Sequence, residues 1–132
     1  MRYFILILLF LSSSAFALER ESFYSDLWCT ERDGLHLRGD VKLEDEFGAT
    51  YPDCVLETEV VEVDWASKWY EGVGQAFHYA RMTGKTPAVL LLMKSEDDRK
   101  HVERLKALRD SFQEGPAKIP FNVYVLEAWK LL

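Results

Sequence analysis

The chain has 132 residues and a formal net charge of −6, with 16 Lys and Arg set against 22 Asp and Glu. That length suits one domain with one core, and it is enough to fold without a metal or a dense disulfide framework. The negative balance excludes a protein that wraps nucleic acid through charge alone.

The first residues read as a targeting signal. Arg2 gives a short positive start, Phe4 to Leu11 is an uninterrupted apolar run, and Ser12 to Ala17 ends in a small-x-small pattern that signal peptidase cuts. The run falls short of the roughly 20 apolar residues that span a bilayer. Residues 1–17 are therefore expected to be a cleaved signal peptide, and residues 18–132 a single exported domain, periplasmic or secreted. No later stretch is long and apolar enough for a membrane segment, so no membrane contact is expected after cleavage. The two cysteines, Cys29 and Cys54, then belong to an oxidising compartment and are expected to bridge; two buried thiols are the alternative.

Along the rest of the chain no repeat or linker divides the domain. Glu19 to Trp28 carries Phe23, Leu27 and Trp28 at roughly helical spacing and predicts a short helix. Asp40 to Leu43 predicts a strand, Glu44-Asp45-Glu46 with Gly48 a hairpin turn, and Thr50 to Leu56 a second strand weakened by Pro52. Val60 to Trp65 predicts a third, with Val61, Val63 and Trp65 alternating against Glu62 and Asp64. A solvated outer face would produce that alternation by itself.

Ser67 is placed to cap a helix from Lys68 to about Met82, ended by Thr83-Gly84. Thr86 to Met93 is a continuous apolar run after a helix, the pattern of a buried parallel strand. Ser95 is placed to cap a further helix with Val102, Leu105, Leu108 and Phe112 on one face; Gly115-Pro116 stops it, and Phe121 to Leu126 predicts the last strand. The predicted order is α-β-β-β-α-β-α-β, an α/β fold in which antiparallel strands precede β-α-β crossovers.

On this layout Asp53 lies at the second strand and Glu62-x-Asp64 on one face of the third, so a hairpin would bring three carboxylates together. Such a group repels itself unless a cation sits within it, and hard oxygen ligands suit Mg²⁺ or Mn²⁺. Lys68, Gly72, Gln75 and Tyr79 share one face of the following helix. Common surface positions would account for Gln75 and Tyr79 equally. The histidines His36, His78 and His101 have no partner at ligand spacing. Lys94, Arg99, Lys100, Arg104, Lys106 and Arg109 are interleaved with acids, which reads as a solvated face.

Pro52-Asp53, Glu62-Val63-Asp64, Lys68-Trp69, Gly74-Gln75 and Tyr79, in that order, resemble the PD-(D/E)xK nuclease superfamily. The Gln75-x-x-x-Tyr79 element is similar to that of RecB-like exonucleases. The likeness covers about Asp40 to Met93. It implies a restriction-endonuclease-like mixed sheet of about five strands with flanking helices. It also implies a divalent metal, Mg²⁺ or Mn²⁺, held by Asp53 and Glu62 with the Val63 carbonyl, Gln75 and Tyr79 orienting the site or the strand, and nucleic acid as partner. Asp40 matches loosely an upstream acid of some members.

One position departs from the motif: Asp64 stands where it has lysine. That lysine would help activate water and stabilise charge at the phosphate. Asp64 can instead ligate metal, and Lys68, one helical turn on, is the residue expected to reach back. The expected function is a metal-dependent nuclease with Asp53, Glu62, Asp64, Lys68, Gln75 and Tyr79 as its site. The alternative is a catalytically degenerate nuclease-like fold serving as an exported binding module.

Overall fold

The computed structural model describes residues 17–33 and 36–132, so the expected leader lies outside the described residues except for Ala17. In chain order the elements are α1 (Glu21–Glu31), β1 (His36–Leu37), β2 (Leu43–Asp45), β3 (Gly48–Thr50), β4 (Cys54–Val55), β5 (Glu59–Trp65), α2 (Trp69–Thr83), β6 (Thr86–Met93), α3 (Arg99–Glu114) and β7 (Asn122–Glu127). The protein is a mixed α/β fold. Its main sheet has five strands in the order β1-β4-β5-β6-β7, and β2-β3 form a separate two-stranded sheet. Strand β4 runs antiparallel to β1 and β5, whereas β5, β6 and β7 are mutually parallel.

The back half follows the expected pattern. Strand β6 is buried from Pro87 to Met93, because both of its faces are covered by helices. Helix α2 ends at Gly84, which takes the left-handed conformation at φ 70° as a helix C-terminus favours. Its start differs: a 3-10 turn over Ala66–Lys68 precedes it, and Ser67 makes no capping bond. Ser95 does cap, its hydroxyl oxygen accepting from the Asp97 N–H at 3.3 Å. It opens a 3-10 turn over Glu96–Asp98 before α3 begins.

The front half departs from the expected strands. The hairpin exists, but its turn is Glu46-Phe47, so Glu44 and Asp45 belong to a strand. The Asp45 side chain closes that turn by accepting the Phe47 N–H at 2.9 Å, a local bond typical of aspartate in turns. The hairpin stands apart from the main sheet. Pro52 interrupts what would have been one strand from Thr50 to Leu56, leaving β3 before it and the two-residue β4 after it, since proline has no N–H for a ladder. Strand β1, outside every predicted element, forms the edge of the main sheet.

Helix α1 covers one face of the sheet. Its Tyr24, Trp28 and Cys29 pack with Val61, Val63, Ala88, Leu90 and Leu92. Helices α2 and α3 cover the other, where Trp69, Ala76, Val102 and Leu105 meet Val89, Leu91, Met93 and Phe121. No helix among the described residues is long and apolar enough to cross a membrane.

A disulfide joins Cys29 of α1 to Cys54 of β4, with Cα atoms 5.8 Å apart and both residues fully buried. The bridge closes a separation of 25 residues, worth roughly 3 kcal/mol in the chain-entropy view. Reduction, or the paired Cys29→Ser and Cys54→Ser change, should lower unfolding stability by about that amount. Urea unfolding with and without reductant measures it, and superimposable curves would show that α1 is held by packing alone.

Candidate functional site

The β4–β5 register sets the site. Cys54 pairs with Val61 and Val55 with Val60, so one step before the strand begins Asp53 falls opposite Glu62. Asp53 Oδ2 accepts the Val63 N–H at 2.9 Å, satisfying a backbone donor at the point where β4 has stopped. Val63 thus meets Asp53 through its amide. Asp53, Glu62 and Asp64 are all buried, at 4%, 7% and 6% exposure, which sets aside the solvated-face explanation of the strand's alternation.

Glu62 and Asp64 share the face of β5 under α2, as period-2 alternation requires. Helix α2 comes close here because residue 72 is glycine. A Cβ on Gly72 would lie 3.4 Å from Val89 Cγ1 and 3.6 Å from Asp64 Cβ. Tyr79, on the same helix face, is buried with its hydroxyl against the Glu62 carboxyl group, and it donates to the Tyr51 carbonyl over a long 3.4 Å.

The acids form two facing pairs. Asp53 and Glu62 lie within hydrogen-bonding reach of each other. Asp64 reaches Glu21, in the first turn of α1, and its Oδ1 accepts the Trp65 N–H at 3.1 Å. Among the described residues, no three His, Cys, Asp or Glu side chains are arranged to hold a metal ion by themselves. Lys68 is exposed, and its charge acts on Asp64 and Glu21. Gln75 is exposed on the helix surface. Asp40 instead closes the turn after β1, its Oδ2 accepting the Leu37 N–H at 2.9 Å.

Two members of the cluster were not singled out from sequence. Glu21 belongs to a helix with no visible link to the acidic strand. Arg38 lies in the turn after β1, with Nε 3.6 Å from Asp53 Oδ1. Neither position carries a periodic or motif signal, because each reaches the site from a separate segment.

Burial dominates the electrostatics. Removal from water, then the neighbouring Asp53 charge, pushes the Glu62 carboxyl up to about 10. Burial followed by the Glu21 charge pushes Asp64 up to about 7. Burial also raises Asp53, opposed by the Val63 N–H, the Glu62 carboxyl and Arg38, and it raises Glu21. Tyr79 is raised by burial and by Glu62. At neutral pH Glu62 therefore holds its proton, yet its Oε2 atom is buried without a hydrogen-bond partner.

That orphaned oxygen bears on whether a cation fits. Mg²⁺ is commonly held by one or two carboxylates together with water, and Asp53 and Glu62 supply two. A buried acceptor left without a donor costs roughly 1–3 kcal/mol, which coordination or water would recover. The donor set therefore suits a hard divalent ion. The basic residues after β6 contribute less: Arg99 is engaged by Glu96 and Glu127, Lys106 by Glu103 and Arg109 by Asp110. No protein-family profile, curated protein or solved structure matches this chain.

The raised acids make stability depend on pH with a definite sign. Unfolded, Glu62 and Asp64 titrate near 4.5 and 3.8; folded, they keep their protons to about 10 and about 7. Across those windows the folded state holds more protons, so stability falls as pH rises. Glu62→Gln should flatten the decline between pH 7 and 9 and raise metal-free stability at pH 8, on the order of a few kcal/mol. Urea unfolding followed by circular dichroism at each pH checks this. A parent protein whose stability is level from pH 5 to 9 would refute the buried, protonated Glu62.

Proposed function

We propose that the protein is a metal-dependent nuclease of PD-(D/E)xK type, hydrolysing phosphodiester bonds of nucleic acid with Mg²⁺ or Mn²⁺. The facing Asp53–Glu62 pair, with the Glu62 Oε2 atom buried and unpartnered, carries this reading. A mixed sheet of five strands, with antiparallel pairing first and β-α-β crossovers after, supports a restriction-endonuclease-like placement. The Cys29–Cys54 bridge is compatible with an exported protein.

Asp53 and Glu62 would hold the metal, the Val63 carbonyl and Asp64 being the remaining candidate ligands. Bound there, a divalent ion supplies a water of lowered pKa and screens phosphate charge. The chain's own residues prepare that position. The Val63 N–H fixes the Asp53 carboxylate, and the Tyr79 hydroxyl orients the Glu62 carboxyl. Lys68, exposed beside Asp64, is the cation available to developing charge at the phosphate. Gln75, exposed on α2 as well, would be available to a bound strand.

A second reading has its own observation. Asp64 fills the lysine position and is buried beside another acid, Glu21, an environment that favours a degenerate site retained for binding. Assays with labelled single- and double-stranded DNA and RNA in Mg²⁺ or Mn²⁺ divide the two. Cleavage is expected, abolished in Asp53→Asn and Glu62→Gln. Lys68→Ala should lower turnover by ~10²–10³, much more than it changes metal affinity. Mn²⁺ should also raise thermal stability, by about 2.7 kcal/mol at a hundredfold excess over Kd. Stabilisation without cleavage selects the binding module, and a melting curve indifferent to millimolar Mn²⁺ removes the metal site.

A further inference from the structure

Arg38 is the cation nearest the Asp53–Glu62 pair, and its setting is unusual for a structural ion pair. Its side chain is 53% exposed while that of Asp53 is 6% exposed. Their ion pair is Nε to Oδ1 at 3.6 Å, longer than the hydrogen bonds of the fork that a firmly held arginine–carboxylate pair adopts. The turn that carries it is locally braced. Asp40 Oδ2 accepts the Leu37 N–H at 2.9 Å, the Asp40 N–H returns to the Leu37 carbonyl at 3.1 Å, and Gly39 supplies the positive φ of 86°. The backbone of Arg38 is thus anchored, while its half-exposed side chain meets Asp53 through a long ion pair.

The two oxygens of Asp53 have different duties. Oδ2 is committed to the Val63 N–H; Oδ1 is the atom that faces Arg38. Oδ1 is the Asp53 oxygen with no backbone donor, so a cation that binds it alongside the unpartnered Glu62 Oε2 meets the oxygen that Arg38 faces. Two positive charges a few ångströms apart on one carboxylate oxygen repel. The arginine stem is exposed and exchangeable, so the guanidinium gives way. The Arg38 charge also acts on Glu21 of α1 and on Tyr79 of α2, so it bears on groups from more than one element of the cluster. A guanidinium released there is a planar fork suited to a phosphate.

We propose that Arg38 is an exchangeable counter-ion: it covers Asp53 Oδ1 in the metal-free protein, and when a divalent ion binds it turns outward to a phosphate of the nucleic-acid strand. This inference rests on the metal site proposed above and adds an order of binding, metal before strand. It also gives the acidic protein a phosphate contact at its site that appears only after the metal has offset the local negative charge.

The test uses the full domain and three proteins: the parent, Arg38→Gln and Arg38→Lys. Mn²⁺ alone is titrated by electron paramagnetic resonance of the free ion. A fluorescent single-stranded oligonucleotide is then titrated in saturating Ca²⁺ over a series of salt concentrations. Arg38→Gln should bind Mn²⁺ about three- to tenfold more tightly, because a competing charge at ~4 Å is gone. The same variant should bind the oligonucleotide several-fold more weakly, with a salt slope shallower by about 0.7, the value of one phosphate contact to a single strand. Arg38→Lys should restore parent Mn²⁺ affinity and only part of the oligonucleotide affinity. A merely structural arginine would weaken both together, so Mn²⁺ affinity unchanged or reduced in Arg38→Gln overturns the proposal. Asp53→Asn separates the two ideas: if it leaves Mn²⁺ binding intact, or if the parent binds no Mn²⁺ at millimolar levels, the metal site itself fails and the exchange with it. Matching melting temperatures of parent and Arg38→Gln confirm that the comparison is between folded proteins.

Discussion

The contact on which the rest of this structure depends is that between two carboxyl groups, Asp53 and Glu62, set face to face inside the protein. Antiparallel pairing of β4 with β5 leaves them no other position. Two ionised carboxylates buried side by side are prohibitive, so Glu62 retains its proton well into the alkaline range. The surroundings limit the cost without removing it. The Val63 N–H and Arg38 support Asp53, and Tyr79 lies against Glu62. One Glu62 oxygen stays unsatisfied. A site organised for stability alone would have replaced one of these acids with an amide or an apolar side chain.

The scaffold around the pair is rigid where rigidity matters. Strand β6 is buried on both faces and fixes β5 through seven paired residues, from Glu59 with Thr86 to Trp65 with Leu92. Strand β4 has only two residues and would be a weak platform unaided. The disulfide supplies the missing anchorage: Cys54 directly follows Asp53, and its partner Cys29 sits on the helix that begins with Glu21. One covalent link thus fixes two segments of the chain, each contributing an acid to the cluster.

Legibility from sequence followed the range of the interactions. The apolar run of β6, the alternation of β5 and the helical spacing of Gly72 and Tyr79 are local patterns, and they placed Glu62, Asp64 and Tyr79 together, whereas Lys68 and Gln75, expected on the same helix face, are exposed. Pro52 signalled a weak strand but not that the hairpin before it would leave the main sheet. The turn at Glu46-Phe47 was displaced from the expected one because the Asp45 side chain, rather than the run of charge, decides where the chain reverses. Glu21 and Arg38 were invisible for a different reason. Each reaches the site by tertiary packing of a distant segment, and no periodicity within its own segment records that.

Charge counting joins Asp64 to the metal proposal. Four acids meet at this end of the sheet: Glu21, Asp53, Glu62 and Asp64. Arg38 and Lys68 are cations whose charges act on them, while Asp26 adds to the load on Asp53 and Glu71 to that on Asp64. Had residue 64 been lysine, the cluster would hold one acid fewer and one cation more. With aspartate there, full ionisation leaves the acids in excess of the cations, and the metal-free protein responds by keeping protons on Glu62 and, in part, on Asp64. A divalent ion carries the charge needed to replace that protonation. Aspartate at position 64 therefore raises the cluster's demand for a cation. Under the proposed function, metal binding and catalysis would be separable: Asp64 would strengthen the first, while the second would rest on Lys68.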